Sequence, residues 1–340
     1  MGQCAHLRNY ATLADCEVVA LAEVRPLLAQ KVADHYGVAR VYPNAEEMLA
    51  SERLDGIVAV QQLQSHGQII PGLYRAGIPV LTEKPLAASI EAGEKMLSCL
   101  AENGSWHMVA YHKRCDPAVL CAKNEIDRLK QTGELGKMRY VRITMPEGDW
   151  IAGGFNDLIR TDEPAAALQL DPPASDMDEA TNRRYRGFVN FYIHQVNLLR
   201  HLLGESYRVT HADPSGILFV AQSQSGVTGI IEMTPYRTSL DWQESALIGF
   251  DKGYVQLELP APLAVNRPGR VEIFRDAGKD TVPQVVVPQL PPVHAMRQQA
   301  INFLRAIRGE MKPPCEAAEA LEDLKVARDY IGLWKASNSF

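Results

Sequence analysis

Thr82-Glu83-Lys84-Pro85 closes an apolar run, Ile78 to Leu81, that reads as a buried strand. Open parallel sheets bind ligands beyond the carboxyl ends of their strands, so the Lys84 ammonium stands where it can act on one. Glu23 holds the equivalent place after the run Glu17 to Ala22. An acid there suits the hydroxyls of an adenine ribose and repels a 2′-phosphate, which favours NAD. Arg25, two residues on, can pair with phosphate, so NADP stays possible. His112 and Lys113, in Tyr111-His112-Lys113-Arg114-Cys115-Asp116-Pro117, follow the last strand of the same series, where either residue can meet a cofactor or a substrate. Trp150 and Arg160 lie among acidic residues in Glu147 to Glu163, a mixture suited to the ring face and hydroxyls of a polyol. The run Arg183-Arg184-Tyr185-Arg186 fits an acidic sugar or a phosphate; pairing with the acidic stretch Asp176 to Glu179 is the favoured reading.

Elements that alternate between two periods must position these groups. Short apolar runs at 17–22, 38–42, 56–60, 78–82 and 107–111 alternate with helical patterns opening at Pro26, Asn44, Ser65 and Ser89. Such alternation predicts parallel βαβ units in one doubly wound sheet. After a helix over 117–132 the pattern changes. Alternating runs at 138–145, 217–221, 227–233, 245–250, 254–259 and 271–274 predict a large, mostly antiparallel sheet. Helices are expected at 188–203, 294–308 and 316–336, while 146–186 has little periodicity, the mark of a functional or disordered stretch. The expected division is a nucleotide-binding domain over 1–116 and an α+β domain over 117–340, whose final helices can pack back on the first.

Composition narrows the function classes. The 340 residues are 46% hydrophobic and 22% charged, with a net charge of −6, which argues against a disordered chain or a basic nucleic-acid binder. No apolar run is long enough to span a membrane, and the start lacks a signal-peptide layout. Cys4, Cys16, Cys99, Cys115, Cys121 and Cys315 form no CxxC and no regular framework, so neither disulfides nor structural zinc is expected. No metal-ligand spacing is evident. The expected setting is the cytoplasm.

A dinucleotide-binding sheet normally opens with a strand and then G-x-G-x-x-G, whose glycines let backbone amides approach the pyrophosphate. Here Met1-Gly2-Gln3 leads straight into a helix-like stretch, so Gly2 fits the third glycine while the first strand and two glycines are missing. The expectation is that the coding start lies further upstream.

The ordered set Asp55-Gly56-Ile57-Val58, His66, Ala76-Gly77-Ile78-Pro79-Val80, Glu83-Lys84-Pro85, Arg114 with Asp116-Pro117, Gly133-Glu134-Leu135-Gly136 and the segment from His194 to Gly204 resembles the Gfo/Idh/MocA oxidoreductases. The resemblance runs over nearly the whole chain and implies a Rossmann domain followed by an α/β domain whose open sheet mediates homo-oligomerisation, as a dimer or tetramer. It implies NAD(P)-dependent oxidation of a secondary alcohol on a sugar, glycoside or cyclitol. Lys84 then contacts the reacting hydroxyl and His194 serves as acid/base. Gln62, His66, Glu83 and Lys113 join Gly2, Glu23 and Lys84 at the cofactor, and His112, Trp150, Arg160, Asn190 and Tyr192 at the substrate. The chain departs from the family pattern at Asn190 and Asn197, where aspartates are usual, and at Gln62, where proline is usual. These departures leave two alternatives open, a non-catalytic or cofactor-deficient binding homologue and a glycosidase-like enzyme that retains its NAD.

Overall fold

The computed structural model describes residues 1–164, 167–276 and 278–338. The chain forms two compact units. The first comprises Met1–Tyr111, Phe155–Met177 and Gln299–Glu322; the second comprises His112–Gly154, Asp178–Gln298 and Asp323–Phe340. The expected boundary at 116 therefore shifts to 111, and two later segments belong to the first unit. Local pattern does not reveal such membership, because the hydrogen bonds that attach residues 155–177 come from residues more than 100 positions away.

In the first unit β1 (Ala20–Ala22) pairs in parallel with β2 (Arg40–Tyr42), and β3 (Ile57–Ala59), β4 (Val80–Thr82) and β5 (His107–Val109) form a second parallel sheet in that order. The single sheet expected from the βαβ alternation is thus two sheets, because no described strand bonds to both β1 and β3. Helices α1 (Pro26–Tyr36), α2 (Ala45–Ser51), α3 (His66–Tyr74) and α4 (Ile90–Glu102) connect the strands. Their starts follow from capping chemistry. Asn44 accepts from the Glu47 amide while its own side-chain amide donates to the Glu47 carboxylate, and Ser89 accepts from Ala92 N. The free edge of β5 is covered by Cys315 and Glu316, with Val109 N donating to Cys315 O at 3.0 Å. Ile70, Tyr74, Leu81, Met96, Met108 and Phe303 are buried in its core.

The second unit opens with α5 (Pro117–Thr132), capped by Asp116 and stopped by Gly133 in the left-handed region at φ 67°. Eight strands follow: β6 (Met138–Glu147), β7 (Tyr207–Ala212), β8 (Leu218–Ser223), β9 (Thr228–Arg237), β10 (Glu244–Phe250), β11 (Gly253–Leu259), β12 (Arg270–Arg275) and β13 (Gln284–Val286). Their order is β13-β12-β11-β10-β6-β9-β8-β7, and only β6 and β9 run parallel. Alternate residues of β10 are buried, which defines one covered face, and α5 packs against β11 and β12. The helix expected over 188–203 is two helices, α6 (Glu179–Phe191) and α7 (Ile193–Leu203), broken at Tyr192. Asp178 caps α6 and sets its start nine residues earlier than the pattern implies. Two closing helices, α8 (Ala295–Ile307) and α9 (Ala317–Ser337), contribute to both units.

Gly253 begins β11 where a Cβ would lie 2.2 Å from the backbone oxygen of Phe274 on β12. A backbone carbonyl in a ladder cannot swing aside as a side chain can. Gly253→Ala is expected to destabilise the protein by about 2 kcal/mol or more, as overpacking of a rigid neighbour does. Urea unfolding of the two proteins checks this, and equal midpoints would mean that the β11–β12 ladder yields freely.

Candidate functional site

At the carboxyl end of β1 the Glu23 carboxylate accepts from Arg25 three times, from Nε at 2.7 Å, Nη2 at 3.0 Å and the backbone amide at 3.1 Å. Beyond β3, Gln62 precedes a short turn that leads into α3, where His66 is fully buried. His66 Nδ1 lies 3.1 Å from Leu86 O, an acceptor only, so Nδ1 carries the proton. Burial is the largest influence on this ring and holds it below the ordinary histidine range, so His66 is neutral near pH 7. Beyond β4, Glu83 is buried against His6 Nε2 at 2.7 Å. Burial alone would raise the Glu83 carboxyl; the His6 contact and the neighbouring Lys84 charge outweigh it and hold the group below its usual range. Lys84 is half-buried and its peptide bond to Pro85 is cis. A Cβ on Gly2 would meet no described atom within 4 Å, so the backbone at 2 is open to close approach.

In the second unit the short 3-10 turn His112–Cys115 and the first turn of α7 face one another. The His112 and His194 rings meet edge to face at 4.5 Å, with His194 half-buried. Lys113 is buried in an ion pair with Glu244, whose other oxygen accepts from Gln195 Nε2 at 2.7 Å. Trp242 Nε1 donates to the same carboxylate at 3.2 Å. The Lys113 charge is therefore committed to a carboxylate that also grips the residue beside His194. Three residues further along α7, Asn197 Oδ1 accepts from Arg114 Nε at 2.6 Å and its amide donates to Asp323 at 2.7 Å. Arg200 completes this group with a 2.6 Å bond to the other Asp323 oxygen. A carboxylate at 197 would face Asp323 directly, so the amide is the group that this pairing requires.

Asn190 is exposed on α6, on the other side of the break at Tyr192 from His194. Tyr192 Oη bonds Thr234 Oγ1 at 2.5 Å, and Thr234 is held at φ 48°, a costly conformation for a β-branched residue. Trp150 is exposed in the second unit, whereas Arg160 is exposed in the first. The segment expected to recognise one substrate thus divides between units. Arg183 pairs with Glu179 at 2.8 Å, in line with the favoured pairing for that basic run, and Arg184 stacks on Trp334. A small, shallow cleft is lined by His112, Lys113, Asp116, Arg267 and His294. Sequence reasoning passed over Glu244, Gln195 and Asp323, which carry no motif and are recognisable only through their buried partners. Among the described residues no group of three His, Cys, Asp or Glu is placed to hold a metal ion, and no helix is long and apolar enough to cross a membrane.

Residues 1–111 match the family described as oxidoreductases with an NAD-binding Rossmann fold. The first unit is thus built around the nucleotide domain of an oxidoreductase. Over those residues the chain matches the Gfo/Idh/MocA oxidoreductases. Its relatives include the inositol 2-dehydrogenase of Rhizobium meliloti, 24% identical over 77% of this chain and 74% of that one. The scyllo-inositol 2-dehydrogenase (NAD(+)) of Bacillus subtilis is 26% identical over 58% of this chain and 50% of that one. The fold is shared with the aldose-aldose oxidoreductase of Caulobacter crescentus, with a TM-score of 0.70, 17% identity and coverage of 97% and 93%. It is shared as well with an oxidoreductase of Agrobacterium radiobacter solved with NAD+ and L-tartaric acid, with a TM-score of 0.67, 15% identity and coverage of 99% and 94%. The residues present fit a dinucleotide: an acid at the end of β1, an open backbone at Gly2, and polar groups beyond β3 and β4.

Asp116, at the cleft, caps Ala118 N at 2.8 Å and takes Gly269 N at 3.0 Å, yet burial pushes its carboxyl up to about 6. A folded-state value above the unfolded ~3.9 favours the protonated fold. Its contribution is full below pH ~4 and is lost as pH rises toward 6, by about 3 kcal/mol at ~1.4 kcal/mol per unit. Asp116→Asn cannot ionise, so the wild type should lose stability relative to it across that window. Urea unfolding of both proteins at pH 4.5 and 7 measures the change. A gap that does not move with pH would mean that Asp116 ionises as readily in the fold as out of it.

Proposed function

We propose that the chain oxidises a secondary alcohol of a sugar, glycoside or cyclitol, with NAD as acceptor and NADP as the lesser choice. Bound nicotinamide would supply the acceptor for the hydride. Glu23 would hold the adenine ribose, and Gly2, Gln62, His66 and Glu83 would line the path between the two ends of the dinucleotide. Lys84 polarises the substrate hydroxyl, its positive charge stabilising the alkoxide character that develops as hydride leaves. His194 accepts the hydroxyl proton, which a neutral imidazole does near neutral pH. The observation that carries this reading is the setting of His194 itself. It is half-buried in the first turn of α7, against His112 at the cleft, on a helix whose inner face is fixed by Glu244 and Asp323. Buried scaffolding on one side with access on the other is the arrangement a proton acceptor requires.

The remaining residues take supporting roles in this reading. Lys113, tied to Glu244, positions Gln195 and so the helix that carries His194. His112, Tyr192 and Trp150 offer hydrogen bonds and ring faces to a polyol, and Asn190 and Arg160 reach it from exposed positions. The described cysteines form no disulfides, which suits the reducing cytoplasm. The half-buried face of the eight-stranded sheet is the surface on which a second copy would pair.

Reduction of NAD at 340 nm with a panel of inositols, sugars and glycosides tests the reaction. Turnover by the wild type should fall by about 10²- to 10⁴-fold in His194→Ala, with substrate affinity changed far less. Lys84→Met should lower kcat far more than it lowers cofactor affinity. Binding without turnover across the panel would favour the non-catalytic homologue, and turnover that survives loss of His194 would remove its assigned role.

A further inference from the structure

Helix α1 begins at Pro26, and its first free amides, of Leu27 and Leu28, donate to the two oxygens of Glu163 at 2.9 and 2.8 Å. Thr161 Oγ1 donates to the same carboxylate at 2.9 Å. Glu163 comes from a segment 135 residues further along the chain, and that segment is tied to the first unit on both sides. The side chain of Gln3 bonds both backbone groups of Ile159 at 3.0 Å. Asp171 accepts from Gly67 N and Gln68 Nε2, each at 3.0 Å, and its own amide donates to Gln64 O at 2.6 Å. The Glu163 carboxylate is therefore a fixed part of the end of β1, not a passing surface contact.

We infer that Glu163 is a specificity-determining residue that makes this chain choose a dinucleotide with a free ribose 2′-hydroxyl over one with a 2′-phosphate. A 2′-phosphate brings a charge of about −1.5 to −2 and needs cations or unsatisfied amides to receive it. Each natural partner at the end of β1 is already engaged by a carboxylate of the protein. Arg25 is gripped by Glu23, and the α1 amides by Glu163. The phosphate would instead meet two negative groups. A free 2′-hydroxyl needs only one acceptor, and Glu23 Oε2, which takes a single bond from Arg25 while Oε1 takes two, has a lone pair to spare. Glu23 alone leaves the choice open, because Arg25 could turn from it toward a phosphate and the helix amides could share the load. Glu163 closes that second route.

The inference rests on the reading that a dinucleotide lies at the end of β1, and the test separates the two. The full chain and its Glu163→Gln and Glu163→Ala variants are titrated calorimetrically with NAD, NADP, 5′-ADP and 2′,5′-ADP. The wild type should bind NAD at least tenfold tighter than NADP. Each variant should narrow that ratio about tenfold, through tighter binding of NADP and 2′,5′-ADP, with NAD changed less than twofold. Glu163→Gln keeps one acceptor for the helix amides and carries the test if Glu163→Ala melts early. An unchanged ratio would make Glu163 only a helix cap and overturn the inference while the cofactor reading stands. Equal gains for both dinucleotides would mean that Glu163 only impedes access to the end of β1, which also overturns it. A folded wild type that binds neither dinucleotide would overturn the cofactor reading, and the inference with it.

Discussion

The second unit depends on charge burial along one face of α7. Gln195, Asn197 and Arg200 all point into the protein, where polar groups are costly unless paired. Two carboxylates, Glu244 and Asp323, meet that demand. Glu244 draws together Lys113, Gln195 and Trp242, and Asp323 joins Asn197 to Arg200. Apolar packing of the same volume would match or exceed this in stability, as buried ion pairs replaced by well-packed residues often show. What the polar version adds is register. A helix slipped by one residue would leave several buried charges without partners, whereas a leucine seam tolerates small shifts. His194 projects from this fixed helix, so the precision of the candidate acid/base is set by groups that never touch a substrate.

The elements most legible in the sequence are those whose ends carry their own chemistry. Asn44, Ser89 and Asp116 start helices by accepting backbone amides, and Gly37, Gly133 and Gly204 stop them in the left-handed region. Where the signal is tertiary, the pattern fails. β7 loses its alternation at the irregularity between Val209 and His211, and β13 is exposed at all three positions, so neither shows a period of two. Nothing in the run Phe188 to Leu203 announces the break at Tyr192, which contains neither glycine nor proline. The bond from Tyr192 to the strained Thr234, 42 residues away, accompanies it.

The same distinction governs the site. Glu23, Gln62 and Lys84 were readable because a parallel sheet delivers its loops to one edge, and a strand end marks that edge in the sequence. Glu163 and Asp171 are ordinary acidic residues in an aperiodic stretch, and only long-range bonds to α1 and α3 give them a role. The tract read as one functional loop is likewise divided. Residues up to Gly154 belong to the second unit and those from Phe155 to the first. Composition shows that such a tract is rich in recognition chemistry, but it carries no record of which surface each part is fastened to.

The departures from the family pattern now separate by cause. Asn197 is not a weakened acid, because its amide accepts from Arg114 and donates to Asp323, a pairing that no carboxylate could make without repulsion. Its substitution belongs to the scaffold and carries no weight against catalysis. Asn190 is different, since it is exposed and lies beyond the helix break. Beside His194 stands the ring of His112, edge to face with the centroids 4.5 Å apart. Two imidazoles at this separation resist carrying two charges at once, so a proton accepted by one discourages protonation of the other. Were His194 the proton acceptor proposed above, such a neighbour would favour release of its proton over holding it.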